Sequence, residues 1–198
     1  MSDPNAQLDE KVWRSFKNGD EAAFAALYRF YVGALLNYGY KIASDRALVE
    51  DCIQDLFFEL WNNRSRVVEP NSVKYYLFKA LRYKIIRSAK TNDRAHALDA
   101  GLLEELTSPS HESKLIRFEV ESLQMENLRA LIRQLPKRQQ EAINLRYYHN
   151  FSNEEVANIM GVTYQSACNF LFSALRKLKL NLKVSVSIFL ILLKFFLD

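Results

Sequence analysis

With 198 residues, 49% of them hydrophobic and 25% charged, the chain is long enough for one or two small domains, each burying a modest core. The net charge of +4 does not by itself require a polyanionic partner, and the content of 5 glycines and 4 prolines excludes a turn-rich β protein. The expected fold class is all-α, arranged as two small helical domains. No glycine-rich phosphate loop, nucleophile elbow or paired-histidine metal motif is present, which argues against an enzyme; no catalytic residue, metal ligand or cofactor is expected. Cys52 and Cys168 lie in separate predicted helices without ligand or redox spacing and read as reduced cytosolic thiols, while His96, His111 and His149 are scattered. The amino terminus, MSDPNAQLDE, has neither a basic start nor an apolar core and does not read as a secretory signal.

In chain order, Asp20 caps a helix predicted to run through Ile42, with Phe24, Leu27, Tyr28, Tyr31, Leu35 and Tyr38 forming an apolar stripe toward the core. A second helix is expected from about Ser44 to about Trp61. Ile53, Phe57 and Leu60 face inward on it, and Asp51, Asp55 and Glu59 recur every four residues on a polar face. Such a charged row is, in isolation, usually a solvated face. Pro70 interrupts the pattern, and Asn71 or Ser72 caps a third helix whose buried side is Val73, Leu77, Ala80 and Leu81.

The charge is unevenly distributed along these helices. From residue 45 to 59 five acidic residues stand against Arg46, and from 64 to 94 nine basic residues stand against Glu69 and Asp93. An acidic helix followed by a basic one suggests two partners on neighbouring surfaces. On the basic helix, Tyr75, Lys79, Arg82, Ile86 and Lys90 form one row, and Tyr76, Lys79, Tyr83 and Arg87 an adjacent one. Cations that follow phosphates, interleaved with rings that stack on bases, suit single-stranded nucleic acid. The alternative is that the tyrosines complete a core and the lysines solubilise it.

Periodicity weakens from 92 to 112, an acidic linker, and resumes near Ser113 as far as Gln134. Pro136 then suits the first turn of a helix containing Ala142, Ile143 and Leu145. Residues 151–179 read as a helix-turn-helix. Ser152 and Glu155 are spaced as a capping box, Val156, Ile159 and Met160 make an apolar face, and Gly161 ends the first helix. Thr163 caps the second. Ala167, Leu171, Ala174 and Leu178 face the core, leaving Gln165, Asn169, Phe172 and Arg176 outside with Ser166 and Ser173 at the edge. That outer face suits a major groove, where glutamine and asparagine each pair with adenine; an ordinary solvated helical hairpin is the alternative.

The ordered set DCIQDLFFELW, SVKYYLFKALRYKIIRSAK and LPKRQQEAINLRYYHNFSNEEVANIMGVTYQSACNFLFSALRKLK resembles the extracytoplasmic-function group of sigma-70 family sigma factors over roughly residues 22–178. The resemblance implies region 2 at 10–91, a linker at 92–112 in the polymerase channel, region 4 at 113–182, and an added tail at 183–198. It implies that Asp51, Gln54, Asp55, Phe57, Glu59 and Trp61 dock on core RNA polymerase, at the β′ clamp, with further contact to β. Arg64, Arg66 and Asn71 then belong to the loop that receives a flipped −10 base. Lys74, Tyr75, Tyr76, Lys79, Arg82, Tyr83 and Arg87 belong to the helix that holds the opened strand. Thr163, Tyr164, Gln165, Ser166, Asn169, Phe172, Arg176 and Lys177 belong to the −35 reader.

Some positions depart from the family's pattern. Tyr83 stands where many members carry asparagine and Arg87 where they often carry aspartate. Cys168, Phe170 and Ser173 replace frequent lysines or arginines, which throws readout onto Gln165, Ser166 and Asn169 and phosphate anchoring onto Arg176, Lys177 and Lys179. The segment TYQSACNFLFSAL looks most like sigma factors of Bacteroidetes-type bacteria. The implied function is a cytoplasmic transcription-initiation factor whose partners are core polymerase, promoter DNA and an anti-sigma factor, with no small-molecule substrate and only indirect or weak membrane contact. A stand-alone helix-turn-helix regulator is the alternative, and the tail alone prompts a third, a membrane-associated adaptor. That tail, VSVSIFLILLKFFL at 184–197, is shorter than the roughly 20 residues that span a bilayer and is broken by Lys194. It reads as an element folded onto region 4, a partner or self-association surface, or a membrane contact.

Overall fold

The computed structural model describes residues 4–92 and 128–182, and every regular element among them is helical. The chain divides into two compact units, Met1–Leu103 with Glu154–Val162, and Glu104–Asn153 with Thr163–Asp198. Most of the expected linker at 92–112, most of the regular structure expected from near Ser113 to Gln134, and the tail lie outside the described residues.

Helices α1 (Pro4–Lys17), α2 (Glu21–Ile42), α3 (Arg46–Asn62) and α4 (Val73–Asn92) pack together. Their starts follow from side-chain caps. The Asp20 carboxylate accepts from the Ala22 and Ala23 N–H groups at 2.8 and 3.1 Å, satisfying donors that the first turn leaves unpaired. Asp45 caps α3 by accepting from Leu48 N–H at 3.1 Å. Of the two candidates before α4 it is Ser72 whose hydroxyl accepts from Tyr75 N–H, at 3.2 Å.

The core of this bundle is more aromatic than the α2 stripe alone suggests. Helix α1, which the sequence reading did not recognise, inserts Trp13 and Phe16, both fully buried. Trp13 lies 5.3 Å from Phe16 and 5.6 Å from Tyr76, and Phe24 lies 4.9 Å from Trp61, tilted or edge-on as ring quadrupoles prefer. Leu27, Tyr31, Leu35 and Tyr38 are buried as expected, but Phe24 is half-buried and Tyr28 is exposed, because both lie over the side of α3 where the bundle ends. On α4, Phe78 and Ile85 fill the core alongside Val73, Leu77 and Leu81, leaving Ala80 only half-buried. Gly39 permits the close approach of α2 to α3: a β-carbon there would collide with Val49 Cγ1.

In the second unit Pro136 occupies the N-cap of α5 (Lys137–Ile143) rather than its first turn. The helix then widens into a π-turn, Asn144–Tyr148. Residues 141–145 are all buried, so this stretch is enclosed on every side and shows no amphipathic period. Helix α6 (Asn153–Met160), which from Glu154 onward belongs to the first unit, buries Val156, Ala157, Ile159 and Met160. Gly161 ends it at φ 63°, and Val162 N–H returns to Ala157 O at 3.0 Å, the double-turn closure that a left-handed glycine allows. Helix α7 (Tyr164–Leu182) packs on α5 and buries Ala167, Leu171, Ala174 and Leu178, as their spacing requires.

Candidate functional site

Three surfaces carry the chemistry. The first is the outer side of α3, where Asp51, Gln54, Asp55 and Glu59 are exposed on one polar face. Glu59 is tied to α4 through Lys84 Nζ at 2.6 Å, whereas Asp51 and Asp55 make no ion pair among the described residues and remain available to a cationic partner. Beside this row lies a groove of about 500 Å³ lined by Phe24, Tyr28, Gln54, Asp55, Phe57, Phe58 and Trp61. Phe57 faces inward as its spacing predicts: it is only 3% exposed, 4.9 Å from Tyr28, and reaches the exterior only as part of the groove's lining. Trp61 is half-buried. Phe58 is the residue that sequence reasoning missed, with 67% of its surface exposed beside the acids. Its signal was available, because Phe58 falls outside the inward Ile53, Phe57 and Leu60 set.

The second surface runs from the α3–α4 loop along α4. Arg64 is half-buried, its guanidinium 4.4 Å from the Trp61 ring centroid and donating from Nη1 to Trp61 O at 2.8 Å. Stacking and hydrogen bond together fix the start of the loop against the end of α3. Arg66 and Asn71 are exposed. The far side of the loop is held to α1, where Arg14 Nε donates to Glu69 at 2.8 Å while its Nη2 reaches Glu10 at 2.6 Å. Both carboxylates raise the Arg14 pKa, Glu69 foremost.

On α4, Lys79, Tyr83 and Arg87 are exposed, and Lys74, Tyr75 and Arg82 are half-buried. Lys79 Nζ donates to the Tyr75 hydroxyl at 3.3 Å, so cation and ring are held as one group. Tyr76 differs from its neighbours. It is half-buried edge-on to Trp13, and burial, assisted by Glu59, pushes its phenol pKa up; its ring belongs largely to the bundle. Tyr83, by contrast, is 66% exposed.

The third surface is the outer face of α7. Thr163 Oγ1 accepts from Ser166 N–H at 3.2 Å and lies 2.8 Å from the Ser166 hydroxyl, which defines the helix start and leaves Ser166 half-buried. Tyr164, Gln165, Asn169, Phe172, Arg176, Lys177 and Lys179 are exposed. Gln165 Nε2 donates to Asn169 Oδ1 at 3.2 Å, a link between the two amides that sequence spacing permits but does not reveal. Paired amides followed by cations can hydrogen-bond base edges at one end and neutralise phosphates at the other.

Among the described residues no group of three or more His, Cys, Asp or Glu side chains is placed to hold a metal ion, and no helix is long and apolar enough to cross a membrane.

Residues 27–95 match the sigma-70 region 2 family, and residues 125–178 match the sigma-70 region 4 family. The ECF RNA polymerase sigma factor SigM of Bacillus subtilis (strain 168) is 22% identical over 153 residues, covering 77% of this chain and 91% of that protein. The RNA polymerase sigma factor YlaC of the same organism is 23% identical over 159 residues, covering 80% and 91%. Among solved structures, the sigma factor RpoE in complex with the anti-sigma factor NepR from Bartonella quintana matches with a TM-score of 0.59 at 20% identity, covering 82% of this chain and 98% of that one. CnrH, in complex with the cytosolic domain of CnrY, matches at 0.56 and 17% identity, covering 88% and 97%. These structural likenesses support the helical fold.

Proposed function

Since the chain belongs to the extracytoplasmic-function group of the sigma-70 family and is a transcription-initiation sigma factor, we propose that its three surfaces divide the work of promoter recognition. The acidic face of α3 binds core RNA polymerase at the β′ clamp: Asp51 and Asp55 meet basic groups, and Phe58 and the adjacent groove take an apolar side chain. The observation that carries this reading is the pairing of unneutralised carboxylates with an open aromatic groove on one helix. A face that was merely solvated would have no use for Phe58.

The loop from Arg64 to Asn71 and the exposed side of α4 then hold the opened −10 strand. Unstacking a base costs a few kcal/mol, and a ring such as Tyr83 returns roughly 1–3 kcal/mol per stacked base, so opening needs no nucleotide hydrolysis. Lys79 and Arg87 follow the phosphates. Helix α7 enters the major groove of the −35 element, with Gln165 and Asn169 toward base edges and Arg176, Lys177 and Lys179 toward the backbone. The regulator reading gives no role to the α3 groove. The chain works in the cytoplasm beside polymerase and DNA, and its TYQSACNFLFSAL segment is similar to sigma factors of Bacteroidetes-type bacteria.

An anti-sigma factor is the further partner. The structurally similar sigma factor RpoE is in complex with the anti-sigma factor NepR, and the three exposed surfaces here offer such a partner a target. Capture of purified core polymerase by the immobilised full chain tests the central assignment. Stable, stoichiometric capture is expected; binding to promoter-like DNA without any capture of polymerase would restore the stand-alone regulator.

A further inference from the structure

We propose that the outer face of α2 is a self-association surface, on which two copies of this chain pack antiparallel about a two-fold axis level with the midpoint between Tyr31 and Val32. The proposal goes beyond the promoter reading and does not depend on it. Helix α2 packs on α1, α3 and α4 and turns outward the row Ala22, Ala26, Phe30, Gly33, Asn37 and Lys41, of which all but the half-buried Ala26 are exposed. Phe30 meets the neighbouring Tyr31 ring edge-on at 4.9 Å and still has 63% of its surface open to solvent. Gly33 stands near the middle of a helix of 22 residues, where glycine is less favourable than alanine. Val49 on α3 accounts for Gly39, whereas a β-carbon on Gly33 would meet nothing within 4 Å.

A second copy of the chain accounts for both residues. The row is spaced four, four, three, four and four, the same in either direction. An antiparallel copy centred on it therefore sets Phe30 against the partner's Gly33, Ala26 against the partner's Asn37 and Ala22 against the partner's Lys41, and the symmetry repeats each contact. Every rung joins a small residue to a larger one, as interdigitating helices require. Along the helices the two Phe30 rings are offset by a rise of about 4.5 Å, within reach of each other. Charge fits the same orientation. Glu21 in the first turn of α2 comes within one residue's rise of the partner's Lys41 in the last, twice by symmetry, and antiparallel helices bring opposite dipole ends together. A palindromic row favours a second copy over an unrelated protein, which gains nothing from it. Phe24 and Tyr28, which line the α3 groove, lie on the opposite side of α2, so the two surfaces are separate.

A contact one helix long is small beside a standard interface, so the dimer is weak and its population rises with concentration. Sedimentation velocity of the full chain over a concentration series tests this, with thermal unfolding as the check on fold. Monomer and dimer in reversible exchange are expected for the wild type. Phe30→Glu, which places a charge at the centre, and Gly33→Leu, which fills the slot, should each raise the dissociation constant by about tenfold or more and leave the monomer folded. Glu21→Lys should raise it by about 3-fold. Glu21→Lys combined with Lys41→Glu re-forms both pairs with the charges exchanged and should return it toward the wild-type value. A chain that stays monomeric at every concentration overturns the proposal. So does association of undiminished strength in Phe30→Glu, as an assembly held by the apolar segment 184–197 would show. A charge exchange that dimerises no better than Glu21→Lys alone overturns the antiparallel register.

Discussion

Gln165 and Asn169 are bonded to each other across one turn of α7, the glutamine Nε2 donating to the asparagine Oδ1 at 3.2 Å. Each amide orients its neighbour, so the two present a single surface with fewer accessible rotamers. Either alanine substitution should weaken binding to the preferred −35 sequence by roughly 1–3 kcal/mol and to unrelated DNA very little. The double variant should cost less than the sum of the two, by about 0.5 kcal/mol or more, as residues that share a bond do. A thermodynamic cycle on duplex binding checks this; strict additivity would mean that the bond is absent on DNA.

Asp51→Lys combined with Asp55→Lys should abolish holoenzyme formation and leave the fold intact, since both side chains are exposed and make no ion pair among the described residues. Gel filtration with core polymerase, alongside far-ultraviolet circular dichroism, gives the answer. Co-elution of the double variant at wild-type levels would remove α3 from the interface.

Adjacent phenylalanines should behave oppositely. Phe57→Ala empties a buried site and should destabilise the first unit by about 3–5 kcal/mol. Phe58→Ala removes an exposed ring and should change stability by under about 0.5 kcal/mol while weakening polymerase binding. Chemical denaturation and polymerase titration of the two variants separate the roles.

On α4, Lys79→Ala should lower affinity for fork-junction DNA and flatten its salt dependence by about one counterion. Tyr83→Ala should lower affinity with the slope unchanged, because stacking releases no ions. Identical slopes for wild type and Lys79→Ala would show that this lysine does not touch phosphate.

Gly39→Ala should cost about 1–3 kcal/mol of stability, as the added methyl meets Val49 at the α2–α3 crossing. Thermal unfolding measures it, and Val49→Ala should relieve part of the loss.

The α7 faces were legible in the sequence because one side is uniformly small or apolar at spacings of four, three and four, and the other uniformly not. The Asp20 cap was legible for a similar reason, its side chain acting on the backbone only two and three residues away. What escaped depends on contacts between distant segments. Helix α1 buries only Trp13 and Phe16 among its described side chains, too sparse a stripe to stand out, and their partners lie on other helices. Tyr76 shares a spacing with Tyr83, yet Trp13 covers one and not the other. Phe57 and Phe58 are identical residues one position apart, and family likeness pointed to the one that the helix turns inward. The π-turn was hidden because a stretch buried all round carries no period to read.

Core polymerase transcribing genomic DNA with and without the full chain, with transcript 5′ ends mapped, tests the central claim most directly. Addition of the chain should create a new set of start sites that share two sequence blocks at one fixed spacing, and the Asp51→Lys, Asp55→Lys variant should create none. Start sites identical to those of core polymerase alone would contradict the account.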